Sequence, residues 1–107
     1  MNQTLPGIDL ASMQASAASA CALLKVLANP DRLLLMCQLS QGELSVSELE
    51  AQLGIRQPTL SQQLTVLREH ALVKTRRDGK NIFYSVASPQ ALAVMAVLYQ
   101  QFCSTTI

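Results

Sequence analysis

Tryptophan is absent from this 107-residue chain, and phenylalanine and tyrosine occur only twice each. So few rings cannot build the base-stacking platform by which single strands and RNA are gripped, so any nucleic-acid partner is expected to be a duplex. Histidine occurs once, at His70, and there is no Cys-x-x-Cys pair and no glycine-rich phosphate or cofactor loop. The usual signs of a nucleophile with its base, or of a redox dithiol enzyme, are therefore missing. No cofactor is expected. The longest uninterrupted apolar run, Ala91 to Tyr99, falls far short of the roughly 18 residues that span a bilayer. No Lys or Arg precedes Lys25 and no apolar leader core is visible, so the chain is expected to be cytoplasmic, with no membrane partner. Repeats, linkers and low-complexity tracts are lacking too.

What is present begins with Ser45-Val46-Ser47-Glu48, the Ser-x-x-Glu form of a capping box, followed at helical spacing by Leu49 and Leu53. Gly54 is placed to end that helix. Pro58 then sits where a first-turn proline belongs, and Leu60, Leu64, Leu67 and Ala71 form one apolar stripe on a second helix. Its other face carries Thr59, Ser61, Gln62 and Gln63, the hydroxyls and amides that a recognition helix presents to base edges in a major groove. An ordinary solvated helix face would also be polar, so the segment after this helix carries weight. Val73–Arg77 and Asn81–Ser85 are β-prone and flank Asp78-Gly79-Lys80, a hairpin signal.

Charge is concentrated in the same region. The chain's net charge of +1 hides six of its eight cations (Arg56, Arg68, Lys74, Arg76, Arg77 and Lys80) between positions 56 and 80, opposed there only by Glu69 and Asp78. That window carries +4 and the remainder −3. Local positive charge is what phosphate neutralisation requires. Residues 45–71 are read as a helix-turn-helix and 73–85 as a two-stranded β-wing. The candidate DNA-binding residues are Arg56, Gln57, Thr59, Ser61, Gln62, Gln63, Arg68, Arg76, Arg77 and Lys80, the cations serving phosphates and the polar residues serving bases.

The flanks complete a single domain over residues 1–107. Residues 1–10 read as a loose arm, and residues 12–27 as an Ala-rich helix striped by Met13, Ala17, Ala20, Leu24 and Leu27. Asn29-Pro30 starts an almost wholly apolar core helix that ends at Gln41-Gly42, and Ser88-Pro89 starts a last helix to Cys103, striped by Leu92, Ala96, Tyr99 and Cys103. The expected fold is mainly α with a small β-wing, a winged helix-turn-helix. A chain this small and half hydrophobic has surplus apolar surface, so a homodimer joined through helices 12–27 and 89–103 is expected, on an inverted-repeat operator in double-stranded DNA.

Three segments, Leu23 to Leu33, Glu43 to Leu49 and Gln57 to Leu64, resemble the ArsR/SmtB family of small dimeric repressors, and the likeness runs from Ala17 to Cys103. Arsenic-sensing members carry cysteines where this chain has Ser45 and Ser47, and another family metal site uses carboxylates and histidines on the last helix, which here has neither. Both metal sites lose their ligands. Cys37 and Cys103 instead resemble the sensing thiols of the BigR and SqrR-like branch. By that resemblance, reactive sulfur such as a persulfide bridges them by a disulfide or a longer polysulfide, weakening operator binding and releasing sulfide-detoxification genes. Other readings keep the same fold: a general oxidant sensor, a thiol-ligated metal sensor, or an antirepressor. A thiol enzyme such as a sulfurtransferase is the remote alternative. Cys37 alone would read as an inert core thiol, and Cys21 as a small packing residue.

Overall fold

A computed structural model describes residue 7 and residues 9–103. Helix α1 spans Leu10–Leu27, α2 Pro30–Leu39, strand β1 Leu44–Ser45, α3 Val46–Leu53, α4 Thr59–Glu69, β2 Val73–Asp78, β3 Asn81–Val86 and α5 Pro89–Leu98, and a π-helical turn covers Tyr99–Cys103. This is a mainly helical winged helix-turn-helix.

Of the loose arm expected over residues 1–10, residues 1–6 and 8 lie outside the described residues, and Leu10 is already helical. The Asp9 carboxylate accepts from the Ser12 amide at 3.2 Å and so starts α1 two residues earlier than expected. Within the protomer only Val26 and Leu27 of α1 are buried, while Leu10, Met13 and Leu24 are exposed. Of the expected stripe only Leu27 enters the protomer's own core, and Met13, Ala17, Ala20 and Leu24 are exposed. By length and apolarity alone α1 could cross a membrane, since its 18 residues have a mean hydropathy of 1.4. A search for unbroken apolar runs misses this because serines and a glutamine interrupt the helix.

Asn29 caps α2 by accepting from the Arg32 amide at 3.0 Å, and Leu35, Met36 and Leu39 enter the core. Ser45 and Glu48 complete the capping box of α3, through Glu48 N to Ser45 Oγ at 3.1 Å and Ser45 N to Glu48 Oε1 at 2.8 Å. Gly54 closes α3 in the left-handed region, at φ 71°. Pro58 occupies the cap position of α4 rather than its first turn, with no side-chain cap of its own. Leu60, Leu64 and Leu67 are fully buried. The fourth residue of that expected stripe, Ala71, lies past the helix end, exposed and at φ 60°, and this turn sends Leu72 and Val73 inward instead.

The wing is one edge of a three-stranded antiparallel sheet, ordered β1-β3-β2, where two strands were expected. β1 is too short to carry an alternation pattern, and its sequence is also that of a helix cap. Asp78 pairs with Asn81 across a two-residue loop in which Gly79 takes φ 64°. In α5, capped by Ser88, Ala91 and Met95 point into the core. The expected stripe of Leu92, Ala96, Tyr99 and Cys103 is exposed, and its members line a groove beside α2.

Candidate nucleic-acid interface and thiol pair

Burying Leu60, Leu64 and Leu67 against the core fixes which face of α4 looks outward. Ser61, Gln62 and Arg68 are exposed on that face, and Thr59 is half-buried at its start. Arg56 and Gln57 are exposed in the turn before it. The Gln57 side-chain carbonyl accepts from the Ser61 amide at 3.1 Å and its hydroxyl at 2.6 Å, so Gln57 supplies the cap that Pro58 cannot. Thr65 donates back to the Ser61 carbonyl at 2.8 Å. Two sites expected to contact DNA are therefore bonded to each other in the free protein.

Two more candidates are bonded to partners within the protomer. Gln63 is half-buried, and its Oε1 accepts from Arg32 Nη1 at 2.9 Å. Arg76 clasps Glu43 with two donors, Nη2 to Oε1 at 2.7 Å and Nε to Oε2 at 3.1 Å, and its guanidinium lies 4.6 Å from the centre of the Phe83 ring. That hydrogen bond, with the positive charge of Arg76, holds the Glu43 carboxyl below its usual range. Arg77 and Lys80 are exposed on the wing. The expected group thus divides. Arg56, Gln57, Thr59, Ser61, Gln62, Arg68, Arg77 and Lys80 lie at or near the surface, Arg76 is exposed but bonded to Glu43, and Gln63 is half-buried and bonded to Arg32.

Cys21, Cys37 and Cys103 are all free thiols. A groove of about 350 Å³ runs between α2 and the end of α5, walled by Leu34, Leu92, Met95 and Tyr99, and both Cys37 and Cys103 open onto it. Cys37 is half-buried and Cys103 exposed. Burial pushes the Cys37 thiol above its ordinary value, and the neighbouring Cys103 pushes in the same direction. Cys21 is exposed on α1, so within the protomer it is not the packing residue expected, and it lines a different groove with Lys25, Arg32 and His70. Among the described residues no group of three or more His, Cys, Asp or Glu side chains is placed to hold a metal ion.

Sequence reasoning passed over Arg32. Its signal was an arginine in the first turn of a helix whose remaining residues, from Leu33 to Leu39, carry no charge.

Fold and surface define a DNA-binding regulator of the winged helix-turn-helix class. A family profile described as bacterial regulatory protein, arsR family, matches residues 29–75. The biofilm growth-associated repressor of Agrobacterium fabrum is 55% identical over 97 residues, 91% of this chain and 83% of that protein. The crystal structure of the transcriptional repressor BigR from Xylella fastidiosa superposes with a TM-score of 0.86 at 48% identity, over 92% of this chain and all of that one. Reduced HlyU from Vibrio cholerae superposes with a TM-score of 0.84 at 39% identity, over 89% of this chain and all of that one. The chain belongs to the ArsR family of bacterial regulatory proteins. It is a transcriptional repressor like BigR, and not an enzyme.

Proposed function

We propose that the protein is a cytoplasmic homodimeric repressor whose hold on an inverted-repeat operator is released when reactive sulfur bridges Cys37 to Cys103, derepressing sulfide-detoxification genes. The observation that carries this reading is the shared groove: of three cysteines, these two alone open onto it together. Cys103, the more exposed thiol, meets the reagent first. Its thiolate takes the outer sulfur of glutathione persulfide and glutathione leaves. The Cys37 thiolate then attacks the inner sulfur of the Cys103 persulfide and expels hydrosulfide, closing a disulfide; if the Cys103 persulfide first takes the outer sulfur of a second glutathione persulfide, with glutathione leaving, attack on the middle sulfur of that chain expels hydrosulfide and closes a trisulfide. Either bridge ties α2 to the end of α5, between the recognition helix that α2 packs on and the exposed apolar surface of α5.

DNA is engaged by α4 in the major groove, with Thr59, Ser61 and Gln62 toward base edges and Gln57 beside them, and Arg56, Arg68, Arg77 and Lys80 toward phosphates. Releasing an operator a hundredfold requires about 2.7 kcal/mol of differential binding, well within reach of one covalent constraint.

The test uses an operator selected by the wild-type protein from random duplexes. Its affinity is measured at fixed salt for reduced protein and after glutathione persulfide or peroxide, with intact mass on the same samples. The expected result is a large loss with persulfide and a mass that records the bridge. Cys37→Ser and Cys103→Ser should each bind as the reduced protein does and ignore the reagent. Loss with peroxide alone would mark a general oxidant sensor. Unchanged affinity in every state would remove the thiols from the mechanism.

A further inference from the structure

The guanidinium of Arg32 bonds to three acceptors on two helices at once. Asn29 fixes its backbone at the start of α2, by accepting from the Arg32 amide. From there Nε donates to the Val26 carbonyl at 2.6 Å and Nη2 to the Lys25 carbonyl at 3.3 Å, both in the last turn of α1. Such carbonyls have no partner within their own helix, and a cation there also meets the negative end of the helix dipole. The remaining arm, Nη1, reaches Gln63 Oε1 in α4 at 2.9 Å. Gln63 lies among the polar residues of the recognition helix but is half-buried and turned to Arg32.

We infer that Arg32 is the positioning residue that sets the angle and depth of the recognition helix against α1 and α2, and that Gln63 is its receiver and not a reader of bases. A flat fork of five donors can serve three acceptors in three directions, and the point charge of a lysine cannot. The apolar contacts of Leu60, Leu64 and Leu67 hold α4 on the core but leave small rotations and slides cheap. A charge-assisted hydrogen bond near the middle of the helix is directional and selects one setting among them. The inference rests on the reading of α4 as the helix that enters the groove.

Gln63→Met, Arg32→Lys and the double variant test it on reduced protein. Affinity is measured at one salt concentration for the selected operator, for a scrambled duplex and for operators carrying single base-pair changes, with thermal unfolding as the control. Each single variant is expected to lose about tenfold on the operator, the scale of one charge-assisted hydrogen bond. The double variant should lose no more than the worse single, because both remove one interaction. Scrambled-duplex affinity should stay within about twofold, since phosphate contacts tolerate a misplaced helix. Gln63→Met keeps the inference testable if Arg32→Lys unfolds.

Three results would overturn it: unchanged operator affinity for Gln63→Met, losses that multiply in the double variant, or a Gln63→Met loss that disappears on an operator changed at one base pair, as for a base reader. If wild-type protein binds operator and scrambled duplex alike, the repressor reading itself fails first.

Discussion

Ser45 serves two structures through one side chain and one backbone. It is the last residue of β1, paired with Phe83, and it is the cap of α3, bonded reciprocally with Glu48. It is also buried, so its hydroxyl cannot turn to water if the partner is lost. Ser45→Ala should cost about 1–2 kcal/mol in urea denaturation, and Ser45→Thr clearly less. Glu43, two residues earlier, makes a different prediction. Its carboxyl titrates lower in the folded chain because Arg76 bonds to the charged form. Its contribution to stability is therefore present above the ordinary carboxylate pKa and is lost as pH falls through the lower folded value. NMR titration should place the Glu43 midpoint below an ordinary glutamate, and Arg76→Ala should raise it toward that value. The pair is exposed, so added salt should shrink the difference.

Between elements, turns decide how the helix-turn-helix is aimed. Gly54 ends α3 at φ 71°, and nothing lies within 4 Å of where a β-carbon would be. Gly54→Ala should therefore destabilise through backbone strain alone, by roughly 1–2 kcal/mol, visible in thermal unfolding. This glycine, the capping box and the Leu60, Leu64, Leu67 stripe were legible because each is a short-range pattern. The wing was legible from its turn and its β-prone flanks. What could not be read were features joining distant segments: β1, two residues long, exists only because β3 offers it an edge, and Arg32 meets Gln63 across 31 positions. The candidate site was legible in part for the same reason. Thr59, Ser61 and Gln62 follow from helix periodicity, whereas the capture of Gln63 and Arg76 by partners elsewhere leaves no local trace. Cys37 and Cys103 came from resemblance, and only the packing of α2 beside the end of α5 brings them to one groove. The stripe of Leu92, Ala96, Tyr99 and Cys103 faces out, as a surface for a partner must, and the second apolar face of the same helix, Ala91 and Met95, which enters the core, could not be told from it by apolarity alone.

At the scale of the molecule, the protomer leaves Leu10, Met13, Leu24, Leu92, Val97 and Phe102 exposed on its first helix and its last helical segment. In the proposed dimer these faces are covered, so folding and association are one equilibrium. The unfolding temperature should rise with protein concentration, and Met13→Glu should flatten that dependence while shifting sedimentation toward the monomer. The exposure of α1 carries a consequence for regulation. A species made of two chains accumulates as the square of chain number when chains are scarce, so promoter occupancy falls faster than the chain is diluted. Growth that outpaces synthesis would then lift repression with no chemical signal at all, and the copy number of the gene would act as a second input beside the thiols.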